Sequence, residues 1–298
     1  MKFASHQTFY IREGWLAKGL RVIKKQNDIF LRKDAIEELG IGRNMVTALR
    51  YWLQATGLTE EVSENRRRVQ RLTKDFGEII SKSDPYFEDK TTLWLLHYNL
   101  AKNEDLATTW FWFFNKFNYR EFDENIFLSQ LKNWVKEEGV KVADSSLKRD
   151  FDCLINSYLV PSKETVANPE DNLLCPFREL GLIEYSDEKR RTFRLTRRDI
   201  DEMPLEVFHY CILDFVGSGK TFDKEHATID ELLNEETSIG RIFSLGLGEL
   251  ILVLERLQEQ GLIHITKTAG LNNVTIIADD TPESIIKLYY EKKQGIAV

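Results

Sequence analysis

GIGRNMVTALRYWLQATGL, residues 40–58, carries an apolar stripe, three glycines and two arginines in nineteen positions. Val46, Leu49 and Leu53 recur at helical spacing, and Gly57 follows the last turn as a helix-ending glycine does. Just before it, KDAIEELG (33–40) predicts a short helix with Ile36 and Leu39 on its inner face. Just after it, LTEEV (58–62), the turn SENRRR (63–68) and the return VQRLT (69–73) predict a hairpin. Helix, turn, helix and hairpin together read as a winged helix.

The plan recurs. In LGLGELILVLERLQEQGLIHITKTAGLNNVTII (245–277), Leu250, Val253 and Leu257 stand as Val46, Leu49 and Leu53 do, and Gly261–Leu262 as Gly57–Leu58. A weaker third copy is NLLCPFRELGLIEYSDEKRRTFRLT (172–196), with Gly181–Leu182 before a charged turn. The expected fold is therefore mainly α with small β-hairpins, several winged-helix-like units arranged around a helical middle. Turn-forming stretches near Asp84–Pro85, Pro161, Pro169 and Pro204 suggest three parts. These are 1–84, an N-terminal winged-helix DNA-binding domain; 85–203, an aromatic-rich middle with the second unit; and 204–298, the C-terminal unit. The middle stretch 91–139 offers Trp110, Trp112 and Phe114 either as a stacking platform for unpaired bases or as helical core, and core is the ordinary fate of such rings.

At 298 residues and 42% hydrophobic content the chain can fill more than one core. Its formal charge of -7 excludes a histone-like coating of nucleic acid, so any polyanion site is local. Cys153, Cys175 and Cys211 lack C-x-x-C spacing and read as buried free thiols. Without a sustained apolar run, the chain is expected to be soluble, cytoplasmic and off the membrane.

Cations concentrate in the first unit: Arg43 and Arg50 on the helix, Arg66, Arg67, Arg68 and Arg71 on the hairpin, Lys74 beyond it. A helix start offers backbone N–H groups to phosphate, Asn44 can pair with adenine and Arg with guanine, while Thr47 lies one turn on. Hairpin arginines can follow the backbone or enter the minor groove. The partner expected is double-stranded DNA; the bland alternative is a solvated charged face offset by Glu60, Glu61 and Glu64. The last unit carries Glu249, Glu255 and Glu259 on its matching helix and reads as a packing or protein-contact module. VGSGKT (216–221) fails as a phosphate loop, because Asp214 stands where glycine is needed and the run follows a helix. Asp144, Asp150 and Asp152 do not define a metal cluster by spacing, nor do the five histidines, and no catalytic residue can be named.

Three stretches resemble the SspB family of bacterial DNA phosphorothioation and phage-defence loci, encoded beside PAPS-reductase-like genes. They are SHQTFYIREGWLAKGL (5–20), LGIGRNMVTALRYWLQATGL (39–58), and LKRDFDCLINSYL (147–159) followed by CPFRELGLI (175–183). The resemblance implies a component of the machinery that replaces a phosphate oxygen with sulfur, working with a cysteine desulfurase, an ATPase and a PAPS-reductase-like protein. It also implies DNA nicking, for which a divalent metal, Mg or Mn, would be the cofactor; a non-catalytic DNA-binding adaptor or scaffold for a PAPS-reductase-like partner, a winged-helix transcription regulator and a homodimer stay open. Within the first stretch His6, Arg12 and Lys18 surround Phe9 and Trp15. They read equally as an arm gripping DNA or as a segment stapled to the domain.

Overall fold

The computed structural model describes residues 1–160, 174–196, 199–218, 226–268, 271–277 and 279–295. The fold is mainly helical with small antiparallel sheets, in two compact units, Met1–Thr196 and Arg197–Val298.

The first unit opens with α1 (Trp15–Lys25), a 3-10 turn at Ile29–Leu31, α2 (Ala35–Leu39) and α3 (Arg43–Ala55). The hairpin follows, β1 (Thr59–Glu64) against β2 (Arg67–Leu72), then α4 (Gly77–Ser83). The stripe expected on α3 is buried, Leu49 and Leu53 completely, and Ala48 and Trp52 join it. Close packing needs Gly19 on α1, since a Cβ there would stand 2.7 Å from Leu53 Cδ1. On α2 the inner face is Ala35 and Leu39; Ile36 is only half-buried, because a helix of five residues turns it toward the flank. Gly57, Gly181 and Gly261, the glycines that register the repeat, all have positive φ, the conformation that lets a chain leave a helix end at little cost.

The middle holds α5 (Lys90–Ala101), α6 (Thr108–Asn115), β3 (Glu121–Phe122), α7 (Glu124–Glu137) and α8 (Asp144–Tyr158). Every residue of α6 is buried, and Trp110, Trp112 and Phe114 are 1%, 3% and 4% exposed. Trp112 and Phe113 both pack on Phe117 and Phe127. These rings are core; they make no surface for bases. The third copy departs from expectation, since Pro176–Leu180 is a 3-10 turn and not an α-helix. β4 (Ile183–Asp187) and β5 (Thr192–Leu195) follow, and β3 adds to β5 to give the order β3-β5-β4.

The second unit runs α9 (Leu205–Gly217), β6 (His226–Thr228), α10 (Ile229–Asn234), α11 (Ile239–Ile242), α12 (Leu247–Glu259), β7 (Ile263–Thr268), β8 (Leu271–Ile276) and α13 (Pro282–Lys293). Its sheet has the order β6-β8-β7, and Leu250, Val253 and Leu257 of α12 are buried as expected. Gly217 closes α9; Gly219–Thr221 of VGSGKT lie outside the described residues. Among the described residues no single helix is long and apolar enough to cross a membrane.

Candidate nucleic-acid interface

At about 100° per residue, Arg43, Thr47, Arg50 and Gln54 fall within roughly 60° of arc on α3, while Trp52 lies about 180° from Arg43. The structure therefore gathers three of the four expected helix residues on one polar stripe. Asn44 stands apart, about 100° around from Arg43, though it too is exposed. Gly42 caps the helix without a side chain, and no acid occupies the first turn, so the opening amides and the positive dipole end face outward. The Thr47 hydroxyl donates to the Arg43 carbonyl at 3.3 Å.

The hairpin pairs Glu60 with Arg71, Glu61 with Gln70, Ser63 with Arg68 and Glu64 with Arg67. Two residues, Asn65 and Arg66, turn it, with φ of 49° and 64°. Two positive φ angles match the right-handed twist of the strands, which is why such turns usually carry Asn-Gly. Here an arginine occupies the glycine position, at a backbone cost of about 1 kcal/mol, and its side chain is delivered to the tip.

Not all of these cations are free. Glu61 Oε1 accepts from Arg50 Nη2, from Gln70 Nε2 at 3.3 Å and from Gln54 Nε2 at 3.4 Å, and Arg68 Nη1 lies 3.8 Å from Oε2. This carboxylate fastens the hairpin to α3, a role no sequence pattern announced; only the strand register brings it across. Arg71 likewise pairs with Glu64. Arg50 and Arg71 are thus each paired with a glutamate of the hairpin. Arg43, Arg66 and Arg67 have no ion-pair partner among the described residues, and Arg68, 81% exposed, is held only loosely.

The N-terminal segment lies elsewhere. His6 is fully buried, which corrects its expected place on a DNA-facing surface. Its Nδ1 accepts the Thr8 amide at 3.1 Å, so Nε2 carries the hydrogen and donates to Asp150 Oδ1 at 2.8 Å. Asp150 also accepts from the Ala4 amide at 2.8 Å and the Thr109 hydroxyl at 2.6 Å. The His6 ring stacks on Trp52, whose Nε1 donates to the Phe9 carbonyl at 2.9 Å. This is the face of α3 opposite its polar stripe, so the segment is a staple. Arg12 folds over the rings of Phe9 and Trp15, 5.8 and 5.7 Å from their centroids, and Lys18 is half-buried on α1.

Burial pushes the Cys153 thiol well up and the Cys175 thiol up to about 12, and all three cysteines are free and buried. Burial and then the charge of Asp150 raise Tyr51. Asp152 points outward toward Lys148 at 3.6 Å, away from buried Asp150, and Asp144 pairs with Lys132 at 2.8 Å. Among the described residues no three His, Cys, Asp or Glu side chains converge as a metal site would require.

The family described as "Protein of unknown function (DUF4007)" matches residues 3–290. A crystal structure of SspB with magnesium ion bound is similar at a TM-score of 0.85 and 25% identity, covering 99% of this chain and 88% of that one. A second SspB crystal structure gives 0.84 and 26% over the same shares. No curated protein matches.

Proposed function

The chain belongs to the DUF4007 family and shares the SspB fold along almost its whole length, and from that premise we propose that it is a double-stranded DNA-binding component of a phosphorothioate modification and antiphage system. The observation that carries this is the ridge of guanidinium groups. Arg43, Arg66, Arg67 and Arg68 stand exposed on α3 and on the hairpin that Glu61 ties to it, in a chain of net charge -7. What supports a winged-helix reading is the order of elements, with a rung from the Gln70 amide to the Asn27 carbonyl at 2.9 Å where a third strand would run. The β6-β8-β7 sheet behind α12 supports the same reading in the second unit. In this reading the partners are duplex DNA and, within the same system, a cysteine desulfurase, an ATPase and a PAPS-reductase-like protein.

Duplex binding by the full-length chain tests the proposal, and log affinity is expected to fall steeply with log salt. Glu61→Gln releases Arg50 and loosens Arg68, so affinity rises several-fold and the slope steepens by about 1. A native chain that does not bind duplex DNA at low salt sinks the proposal.

A second reading, DNA nicking, is favoured by the magnesium in the SspB relative. Among the described residues of this chain no three His, Cys, Asp or Glu side chains converge to hold a metal ion. Conversion of supercoiled plasmid to open circle, with and without EDTA, decides it: metal-dependent relaxation is the expected result for a nickase, and its absence leaves a binding adaptor.

A further inference from the structure

The second unit repeats the α3 plan with the chemistry exchanged. Aligning Gly261–Leu262 with Gly57–Leu58 places Gly246 on Gly42. Leu247, Gly248, Ile251 and Leu254 then stand where α3 has Arg43, Asn44, Thr47 and Arg50. Leu254 is buried, but Leu247 and Leu252 are 52% and 48% exposed and Ile251 is half-buried. The first turns of α12 thus present apolar side chains to solvent. Grouped exposure of this kind marks contact surfaces more often than chance does.

Gly248 sits between them, with Ile251 and Leu252 three and four residues on. A Cβ added to it meets nothing within 4 Å, so the fold itself has no use for a glycine there. Glycine inside a helix is less stable than alanine. The missing side chain leaves a notch, open outward and walled by leucine and isoleucine. Around it stand Glu249, Glu255 and Glu259, none with an ion-pair partner among the described residues, while the nearby cation Arg256 is held by Asp201 at 2.6 Å. The charge is segregated along the chain. Residues 197–298 contain ten Lys and Arg against eighteen Asp and Glu, a formal charge of -8, whereas residues 1–196 contain 31 against 30.

We infer that this face of α12 docks a protein partner presenting an apolar knob ringed by Lys and Arg side chains. Unpaired carboxylates disfavour the alternatives: they repel duplex DNA and anionic lipid, and a second copy using the same face would set glutamate against glutamate. None of the residues involved belongs to the guanidinium ridge, so the inference stands or falls apart from DNA binding.

The test places p-benzoyl-L-phenylalanine at Gly248 of the full-length chain, illuminates it in the native host, and sequences the cross-linked peptide. The notch is open, so the melting temperature should stay at the native value. The expected result is one protein, attached through a segment combining Leu, Ile, Val, Met or Phe with Lys or Arg. Glu255→Lys with Glu259→Lys should lower the yield about tenfold, and Leu247→Ser, which changes no charge, should give a comparable loss. An adduct to a second copy, to DNA or to lipid overturns the inference. So does a yield indifferent to the charge reversals, or one no higher than from the same photo-residue at exposed Lys141.

Discussion

Asp150→Ala is expected to destabilise the N-terminal unit by about 3–5 kcal/mol, because it takes the shared acceptor from three polar donors. The carboxylate is 2% exposed and gathers the Ala4 amide, His6 Nε2 and the Thr109 hydroxyl. Its loss strands His6 Nε2 and the Thr109 hydroxyl where water does not reach, and leaves the Ala4 amide part-buried without its acceptor, each unsatisfied buried group costing about 1–3 kcal/mol before relaxation. Asp150→Asn keeps one acceptor oxygen and should lose about half as much. Urea unfolding measures both, through a lower midpoint at unchanged slope. A double variant with His6→Ala should lose less than the sum of the two singles, because both remove the same bond. A fall below about 1 kcal/mol for Asp150→Ala would mean that the segment is not held in this way.

The second large effect concerns the ridge. With the proposed ridge on duplex phosphates, Arg66→Ala, Arg67→Ala and Arg68→Ala together should lower duplex affinity about 100-fold near 0.1 M salt and flatten the log–log salt slope by about 2–3. All sequences should suffer alike, since phosphate contacts carry no base information. Arg43→Ala or Asn44→Ala should instead relax preference among sequences, each lost base contact being worth about 1–3 kcal/mol. Fluorescence anisotropy on several unrelated duplexes separates the two. Equal losses from both sets on every duplex would refute this division between helix and hairpin. The exposed hairpin arginines bury no core atoms, so the triple variant should melt at the native temperature.

How much of this was legible beforehand depends on the range of the interaction. Local periodicity placed α3 and α12, their buried stripes and the glycines after them, because helix spacing and a left-handed exit are written within a few residues. The PFREL segment misled for the same reason: five residues starting at Pro176 are too short to show a period, and they settle into a 3-10 turn. Long-range polar pairing left no local mark. His6 and Asp150 lie 144 residues apart, and neither neighbourhood announces the other. His6 beside Arg12 reads equally as part of an arm or of a staple, and only the packing of Trp52 and Trp110 around it decides for the staple. Glu61 was visible as a diluting charge but not as the acceptor that Arg50, Gln54 and Gln70 share, because that depends on strand register.

The staple at the N-terminus also sets an order of events during synthesis. Residues 4–9 cannot complete their hydrogen bonds behind α3 until the peptide carrying Asp150, 144 residues beyond His6, has emerged from the ribosome. The guanidinium-bearing helix packs on α1 early, but a nascent chain arrested before α8 would leave the His6 side of its backing without the Asp150 carboxylate.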